Sequence, residues 1–304
     1  MMRALLLHIA CLPCALMAQE LIVPPGTGDP MELHFNEVFM ARNGIMAIEG
    51  VRQLKRDGEP IRGKNEREEF RFDGSGRTVW SGIFFDRNNA ATDTSCVTRI
   101  YDARGLLCEQ RRNDRSGEFA QRDSLDGEGR CLRRTHVRIQ GPVTGGLALM
   151  RPLETLISDE RFSHTVITVP PDSGSAWRVT WHNEHGLPYR EQTFRKDRWG
   201  YLRAIEDRNI ITGRQGEVTF RYDEKGRLAE RIEQADRSTP AFVKHIWRSD
   251  NAGNVTLCDS WRNEKQTRHT EYLYEDGTLL LKAILAKDME TGLIHITRYT
   301  TRRR

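Results

Sequence analysis

The chain has 304 residues, 47 of them Lys or Arg and 43 Asp or Glu, for a formal net charge of +4. A hydrophobic fraction of 38% beside a charged fraction of 30% excludes a disordered polymer and describes a foldable chain of one large domain or two ordinary ones. The two signs are interspersed, and the one basic cluster, Arg302-Arg303-Arg304 after Arg298, is expected to be a solvated tail, so nucleic acid is not an expected partner.

The N-terminus has the three parts of a secretory signal. Arg3 is followed by an apolar run from Ala4 to Leu16, broken only by His8, then by Ala15 and Ala18 before Gln19-Glu20. Residues 1–18 are therefore expected to be removed. The run is shorter than the roughly 20 residues that a spanning helix needs. Cys11 and Cys14 lack the small residues that a lipid-attachment site has before its cysteine. No transmembrane segment is expected in the mature chain, and its expected place is the periplasm, the outer-membrane surface or the extracellular space.

Residues 19–44 form a lead-in, with one or two helical turns expected at Asn36 to Arg42. A first β section is expected over 45–140, beginning with a strand near Ile45 to Leu54. Residues 141–176 look irregular: Gly141-Pro142 and Gly145-Gly146 open them, a short helix is expected at Pro152 to Asp159, and Pro170-Pro171-Asp172-Ser173-Gly174 closes them. This segment is the best domain boundary, although a sheet running through it fits equally well. A second β section is expected over 177–304.

Both β sections carry an internal repeat. It is clearest at Tyr222-Asp223-Glu224-Lys225-Gly226-Arg227, and recurs at Phe72-Asp73-Gly74-Ser75-Gly76-Arg77, Tyr101-Asp102-Ala103-Arg104-Gly105 and Leu125-Asp126-Gly127-Glu128-Gly129-Arg130. Its glycines fall at 76, 105, 129, 186, 200, 226, 253 and 277, so most spacings are 24 to 29 residues, with one gap of 57. That period suits two strands and two turns. Asp can bond the amides of a type I turn, and the glycine supplies positive φ at its end. Around the turns, Val218, Phe220 and Tyr222 alternate with Thr219 and Arg221. Beyond the turn, Leu228 and Ile232 are expected to share one face and Arg231 and Glu233 the other. Val243, His245 and Trp247 repeat the alternation, which predicts an all-β antiparallel hairpin meander in a long twisted or curved sheet.

The segments Tyr101 to Gly105 and Phe220 to Leu228 resemble the YD repeat of the Rhs and teneurin families, and roughly residues 66–280 share that rhythm. The resemblance implies a β-hairpin meander at the cell surface or envelope, associated in some members with carbohydrate binding or adhesion. It assigns Tyr101, Asp102, Gly105, Tyr222, Asp223 and Gly226 to structural turns.

Candidate chemistry is sparse. The mature chain keeps Cys96, Cys108, Cys131 and Cys258, which allow three complete pairings. One disulfide among the first three is expected. With the Cys-x-x-Cys pair confined to the signal, and His182 and His185 in a turn, no metal or cofactor is expected. The aromatics Trp181, Tyr189, Trp199 and Tyr201 crowd into one stretch, with Trp199 in a turn where small or polar residues are usual. They are the candidate recognition surface, for a glycan or an envelope protein. The expected function is thus non-enzymatic binding or scaffolding at the envelope; the alternative is a secreted carbohydrate-active hydrolase with a carboxylate pair on the sheet.

Overall fold

The computed structural model describes residues 20–56, 58–87, 90–141 and 153–304. The expected signal and the Gly145-Gly146 stretch lie outside the described residues. A short helix α1 (Glu37–Arg42) stands where helical turns were expected, N-capped by the Asn36 side chain, which accepts from the Phe39 amide at 3.2 Å.

The rest is one antiparallel sheet of 18 strands. The first nine are β1 (Ile45–Lys55), β2 (Arg62–Phe72), β3 (Thr78–Arg87), β4 (Ala90–Tyr101), β5 (Leu107–Asp114), β6 (Gly117–Leu125), β7 (Cys131–Gln140), β8 (Leu153–Ile167) and β9 (Ser175–His182). The second nine are β10 (Pro188–Lys196), β11 (Leu202–Asn209), β12 (Gln215–Tyr222), β13 (Leu228–Gln234), β14 (Val243–Ser249), β15 (Val255–Arg262), β16 (Lys265–Tyr274), β17 (Leu281–Asp288) and β18 (Ile294–Arg303). Each strand pairs with its neighbours in the chain, and β18 pairs with β1 from Ile45 opposite Arg303 to Lys55 opposite Ile294. The meander is therefore closed into a barrel and has no free edge, where an open sheet was also tenable.

The repeat is a stereotyped turn at one rim. A period of two strands puts its copies between even and odd strands, hence at the same end, the motif rim, the copy ending in Gly186 excepted. In the Asp223 turn the carboxylate accepts the amides of Lys225 and Arg227 at 2.9 Å, and the Arg227 guanidinium bonds the other oxygen at 2.7 Å. The Asp73–Arg77 and Asp126–Arg130 turns repeat this arrangement. The tyrosine before the turn donates back to a carbonyl near the start of the preceding hairpin's return strand: Tyr101 to Thr78, Tyr222 to Leu202 and Tyr274 to Val255, at 2.8–2.9 Å. Asp, Gly, Arg and Tyr are all consumed by turn and inter-hairpin bonds.

After each of these turns the return strand carries a bulge. Tyr222 stands opposite Leu228 while Arg221 stands opposite Glu230, so Ala229 is the extra residue. Equivalent shifts occur at Tyr101, Leu125, Ser249 and Tyr274. One extra residue reverses side-chain parity. Leu228 therefore joins Phe220, Trp247 and Val255 in a buried cluster, while Ile232 falls on the opposite face beside Thr219 and Lys244. The expectation that Leu228 and Ile232 share a face fails for this reason.

The lead-in crosses the lumen. Residues 21–36 fold back on themselves, with Val23 and Asn36 amides bonded to the His34 and Leu21 carbonyls at 2.9 Å. At the tip of this loop the Gly28 carbonyl accepts from Arg231 on β13 at 2.7 Å, and Glu32 pairs with Arg99 on β4 at 2.8 Å. Those strands are half the ring apart. Around the wall the distance is about 43 Å at about 4.8 Å per strand, whereas five residues reach at most about 17 Å, so the loop runs through the interior. Leu21, Ile22, Phe35, Phe39 and Met40 pack on Ile48, Phe72, Leu281 and Ile284 as the largest of three buried apolar clusters among the described residues.

Faces can then be assigned. Ser260, His245, Arg231 and Phe220 stand directly opposite one another and face the loop. Their neighbours Asp259, Ile246, Glu230 and Arg221 make the outward row. Ion pairs run along that outer face: Arg195–Glu206 at 2.9 Å, Arg221–Glu230 at 3.3 Å, Arg122–Glu154 at 2.6 Å and Arg133–Asp159 at 2.6 Å.

Two further expectations are corrected. Where a helix was expected at Pro152 to Asp159, the described residues from Leu153 are strand instead: β8 carries several β-branched residues and pairs along both β7 and β9. From Leu153 onward the 141–176 segment is thus largely wall, and Gly174, with φ of 91°, holds the missing glycine position at the motif rim. Gly186 belongs to the opposite rim, which explains the irregular gap. The expected disulfide is not formed; all four thiols are free. Cys96, opposite Gly82, is on the outer face, Cys131 is on the luminal row with Asp123, and Cys258 is buried across the ring.

Two measurements check this packing. A Cβ on Gly76 would lie 2.0 Å from the Glu37 carbonyl oxygen, whereas one on Gly186 meets nothing within 4 Å, and both have positive φ. Gly186→Ala is expected to cost about 1–2 kcal/mol from backbone conformation alone, and Gly76→Ala clearly more, read as the urea midpoint. Burial, with Arg231 nearby, pushes the His245 imidazole down from 6.5 to about 4. The unfolded chain protonates it below 6.5 and the folded chain only near 4, so stability falls as pH drops through that window. His245→Gln should flatten the dependence there; an unchanged slope would remove the imidazole as its source.

Candidate functional site

The luminal face of β8 to β13 is built from alternate residues. On β10 these are Arg190, Gln192 and Phe194; opposite them on β11 stand Asn209, Asp207 and Ile205, and on β9 Trp181, Val179 and Trp177. The β10 and β11 residues, with Arg231 and Glu233 of β13 and Gly26 to Gly28 of the crossing loop, line a cavity of about 870 Å³.

Its polar wall is organised around Asp207. Arg190 embraces that carboxylate through Nε and Nη2, and Gln192 donates to it at 2.8 Å. The Arg190 guanidinium also lies 4.5 Å over the Trp181 ring, and this pairing with Asp207 keeps its charge firmly held. Arg231, almost wholly buried, is held by Gly28 and by Glu233 at 3.1 Å. Two buried donors find no partner among the described residues: Nε of Arg231, which lines the cavity, and Nε1 of Trp181. Leaving each unpaired costs about 1–3 kcal/mol.

Apolar faces interleave with these groups. Trp177 stacks flat on Phe194 with centroids 5.0 Å apart, and Trp181 takes Phe162 edge-on at 5.1 Å and Tyr189 at 6.3 Å. The Tyr189 hydroxyl donates to Glu160, and burial together with that bond raises its pKa strongly. Flat aromatic faces beside planar amide, carboxylate and guanidinium groups can hold a ligand that has both apolar faces and hydroxyl edges.

The four aromatic candidates divide. Trp181 and Tyr189 are brought together on the luminal face. Trp199 and Tyr201 lie beyond the far end of β10, about 30 Å away by strand length, in the motif-rim turn. Trp199 is 68% exposed with the Arg198 guanidinium 4.2 Å over its ring. Tyr201 packs at a tilt on Tyr222, with centroids 4.8 Å apart, and its hydroxyl fills the space that a Cβ on Gly226 would need. Sequence reasoning missed Arg190, Gln192, Asp207 and Arg231. Their signal was polar residues alternating in phase with Phe194 and Ile205, visible only once the inward face is known. The carboxylates here are each tied to a donor: Asp207 to Arg190, Glu233 to Arg231, Glu160 to Tyr189. His182 ends β9, and His185 sits in the exposed turn after it, 3.5 Å from Glu184.

No family model matches the chain, and no curated protein matches it. Among solved structures it is similar to a porin-like protein from Bacteroides uniformis ATCC 8492, at 12% identity and a TM-score of 0.40, over 85% of this chain and 98% of that one. A porin-like protein from Bacteroides vulgatus ATCC 8482 gives 8% identity and a TM-score of 0.34, over 86% and 99%. The TcdB2-TccC3-Cdc42 structure, which bears on the YD-repeat expectation, matches at 14% identity and a TM-score of 0.21 over only 14% of its chain. The assignment to the YD-repeat families is therefore corrected: the likeness to them is weak and partial, and the chain is an 18-stranded closed barrel whose turn motif follows from hairpin chemistry.

Proposed function

We propose that this chain is an exported, non-enzymatic binding barrel of the cell envelope, facing water on its outside and taking a sugar-like ligand into the lumen between β9 to β13 and the crossing loop. One observation carries the reading, the distribution of charge across the wall. A membrane-inserted barrel needs an outward apolar band about 25 Å tall, and Arg or Lys at its midplane costs about 2–4 kcal/mol each. Here the outward residues of β10 to β12 are Glu191, Thr193 and Arg195, Ala204, Glu206 and Arg208, and Glu217, Thr219 and Arg221. Such a row favours water on the outer face. The concave, partly apolar surface left for a ligand is then the lumen, where Arg190 and Arg231 line one cavity and Trp181 packs against Arg190.

The mature chain is expected to purify without detergent and to stay in the aqueous phase on detergent phase separation; recovery in the detergent phase would replace this reading with a lipid-embedded barrel. On a glycan array, binding should drop roughly tenfold or more with Trp181→Ala and with Arg190→Ala, in line with the loss of a stacked face or a charged hydrogen bond. Trp199→Ala should leave it unchanged. Binding indifferent to both luminal variants would remove the site, and release of reducing sugar from a bound glycan would make the protein a hydrolase.

A further inference from the structure

A second luminal cavity, of about 560 Å³, lies across the crossing loop from the first, between β1 to β4 and β16 to β18. Its character changes along the barrel axis. Toward the motif rim it is floored by Leu33, Phe70, Tyr272 and Ile284. Toward the opposite rim its wall carries Arg52, Lys64, Arg268 and His295. The register makes this gradient unavoidable: Lys64, Arg268 and His295 lie near the beginnings of β2, β16 and β18, all of which start at that opposite rim.

The charges at the mouth do not cancel completely. Arg52 pairs with Glu68, Lys64 with Glu66 at 2.8 Å, and Glu32 with Arg99. Arg268 has no carboxylate partner among the described residues. Asp288, opposite it on β17, instead accepts from the Glu290 and Thr291 amides and the Thr291 hydroxyl. The same imbalance acts on His295, whose pKa is pushed down by burial and then by Arg268, Lys64 and Arg52. Two residues deeper than Arg268 on the same face, Thr270 is 3% exposed, and its hydroxyl has no partner among the described residues. A free guanidinium and an unpartnered buried hydroxyl thus sit one above the other over an apolar floor.

We propose that this cavity is a ligand site for a single-chain amphiphile with a carboxylate head. The hydrocarbon lies on Phe70, Tyr272, Ile284 and Leu33, and the head is taken by Arg268, with Thr270 as the second donor. Burying the chain supplies the affinity, and the charged hydrogen bonds select the head group.

Binding of 11-(dansylamino)undecanoate to the purified mature chain, followed by fluorescence, tests this. Emission should rise and shift to the blue, palmitate should displace the probe, and hexadecyltrimethylammonium should need a roughly tenfold higher concentration, since one charged hydrogen bond is worth about that factor. Arg268→Gln should weaken the probe by a similar factor, and Thr270→Val by less, with the far-UV circular dichroism of both variants unchanged. No emission change with the wild type, equal displacement by the cationic and anionic amphiphiles, or full affinity in Arg268→Gln would overturn the proposal.

Discussion

Backbone pairing between β1 and β18 is the contact on which the remaining architecture depends. It joins Ile45–Lys55 to Ile294–Arg303, the two ends of a meander in which every other strand bonds only its chain neighbours. Without it, two strands would present unpaired amides and carbonyls along their length, a template for association with other chains. With it, the sheet acquires an inside. The crossing loop leads through α1 into β1, and just ahead of β1 the Gly44 carbonyl accepts from the Arg304 amide at 2.9 Å. The seam that closes the ring therefore also ties the loop to the end of the last strand. The apolar residues of the loop and of α1 pack on β1, β2 and β17 next to this seam, so closure and loop insertion support each other.

The bulged turn governs what the inside contains. A strict alternation carried through a hairpin would keep residues of one parity on one face. The extra residue after each motif turn breaks that, and it does so at the same rim in hairpin after hairpin. Leu228 is brought inward with Phe220 and Trp247, and the polar residues that follow are redistributed between the faces. Added twist at each bulge also suits a closed, coiled sheet better than a flat one. The Asp–Arg pair within the turn matters mainly as geometry. It lies partly in solvent, where an ion pair is worth at most about 1 kcal/mol, but Asp223 holds two backbone amides and the guanidinium at once.

These features differ in how far they can be read from the residues. The turn motif, its period and the antiparallel hairpins are local: they follow from Asp, Gly and Arg at fixed offsets, and the strands and α1 were legible for that reason. The bulge was not, because the residue that fills it has no characteristic type: Cys108, Ala229 and Thr256 all occupy that place. Closure was not legible either. Whether β18 meets β1 or solvent depends on twist accumulated over all the strands, and no residue in either strand advertises its partner. The helix expected at Pro152 to Asp159 failed because pairing on two sides outweighs a short local pattern. Of the candidate site, Trp181 and Tyr189 were singled out by aromatic density, and the structure places both on the luminal face. Trp199 and Tyr201 were grouped with them by proximity in the chain, which in a strand-built wall separates residues by the length of a strand.

Both faces of this sheet carry charge, and that makes its stability unusual in origin. Exposed pairs such as Arg195–Glu206 contribute little individually, so the outer ladder adds little to what holds the wall together. Among the described residues, buried apolar side chains gather in three clusters, one around the crossing loop, one behind Phe220 and Trp247, and a small one of Ala120, Val137 and Ile139. Between and beside them the lumen keeps polar groups whose bonding is incomplete: Nε of Arg231 on one side of the loop and the Thr270 hydroxyl on the other. A barrel selected only to be stable would have filled these places with aliphatic side chains, since replacing buried polar groups with well-packed apolar ones is commonly neutral or stabilising. The unfilled lumen and its unmet donors occur together, on both sides of the same loop, and that coincidence is the physical reason to seek the function inside the ring.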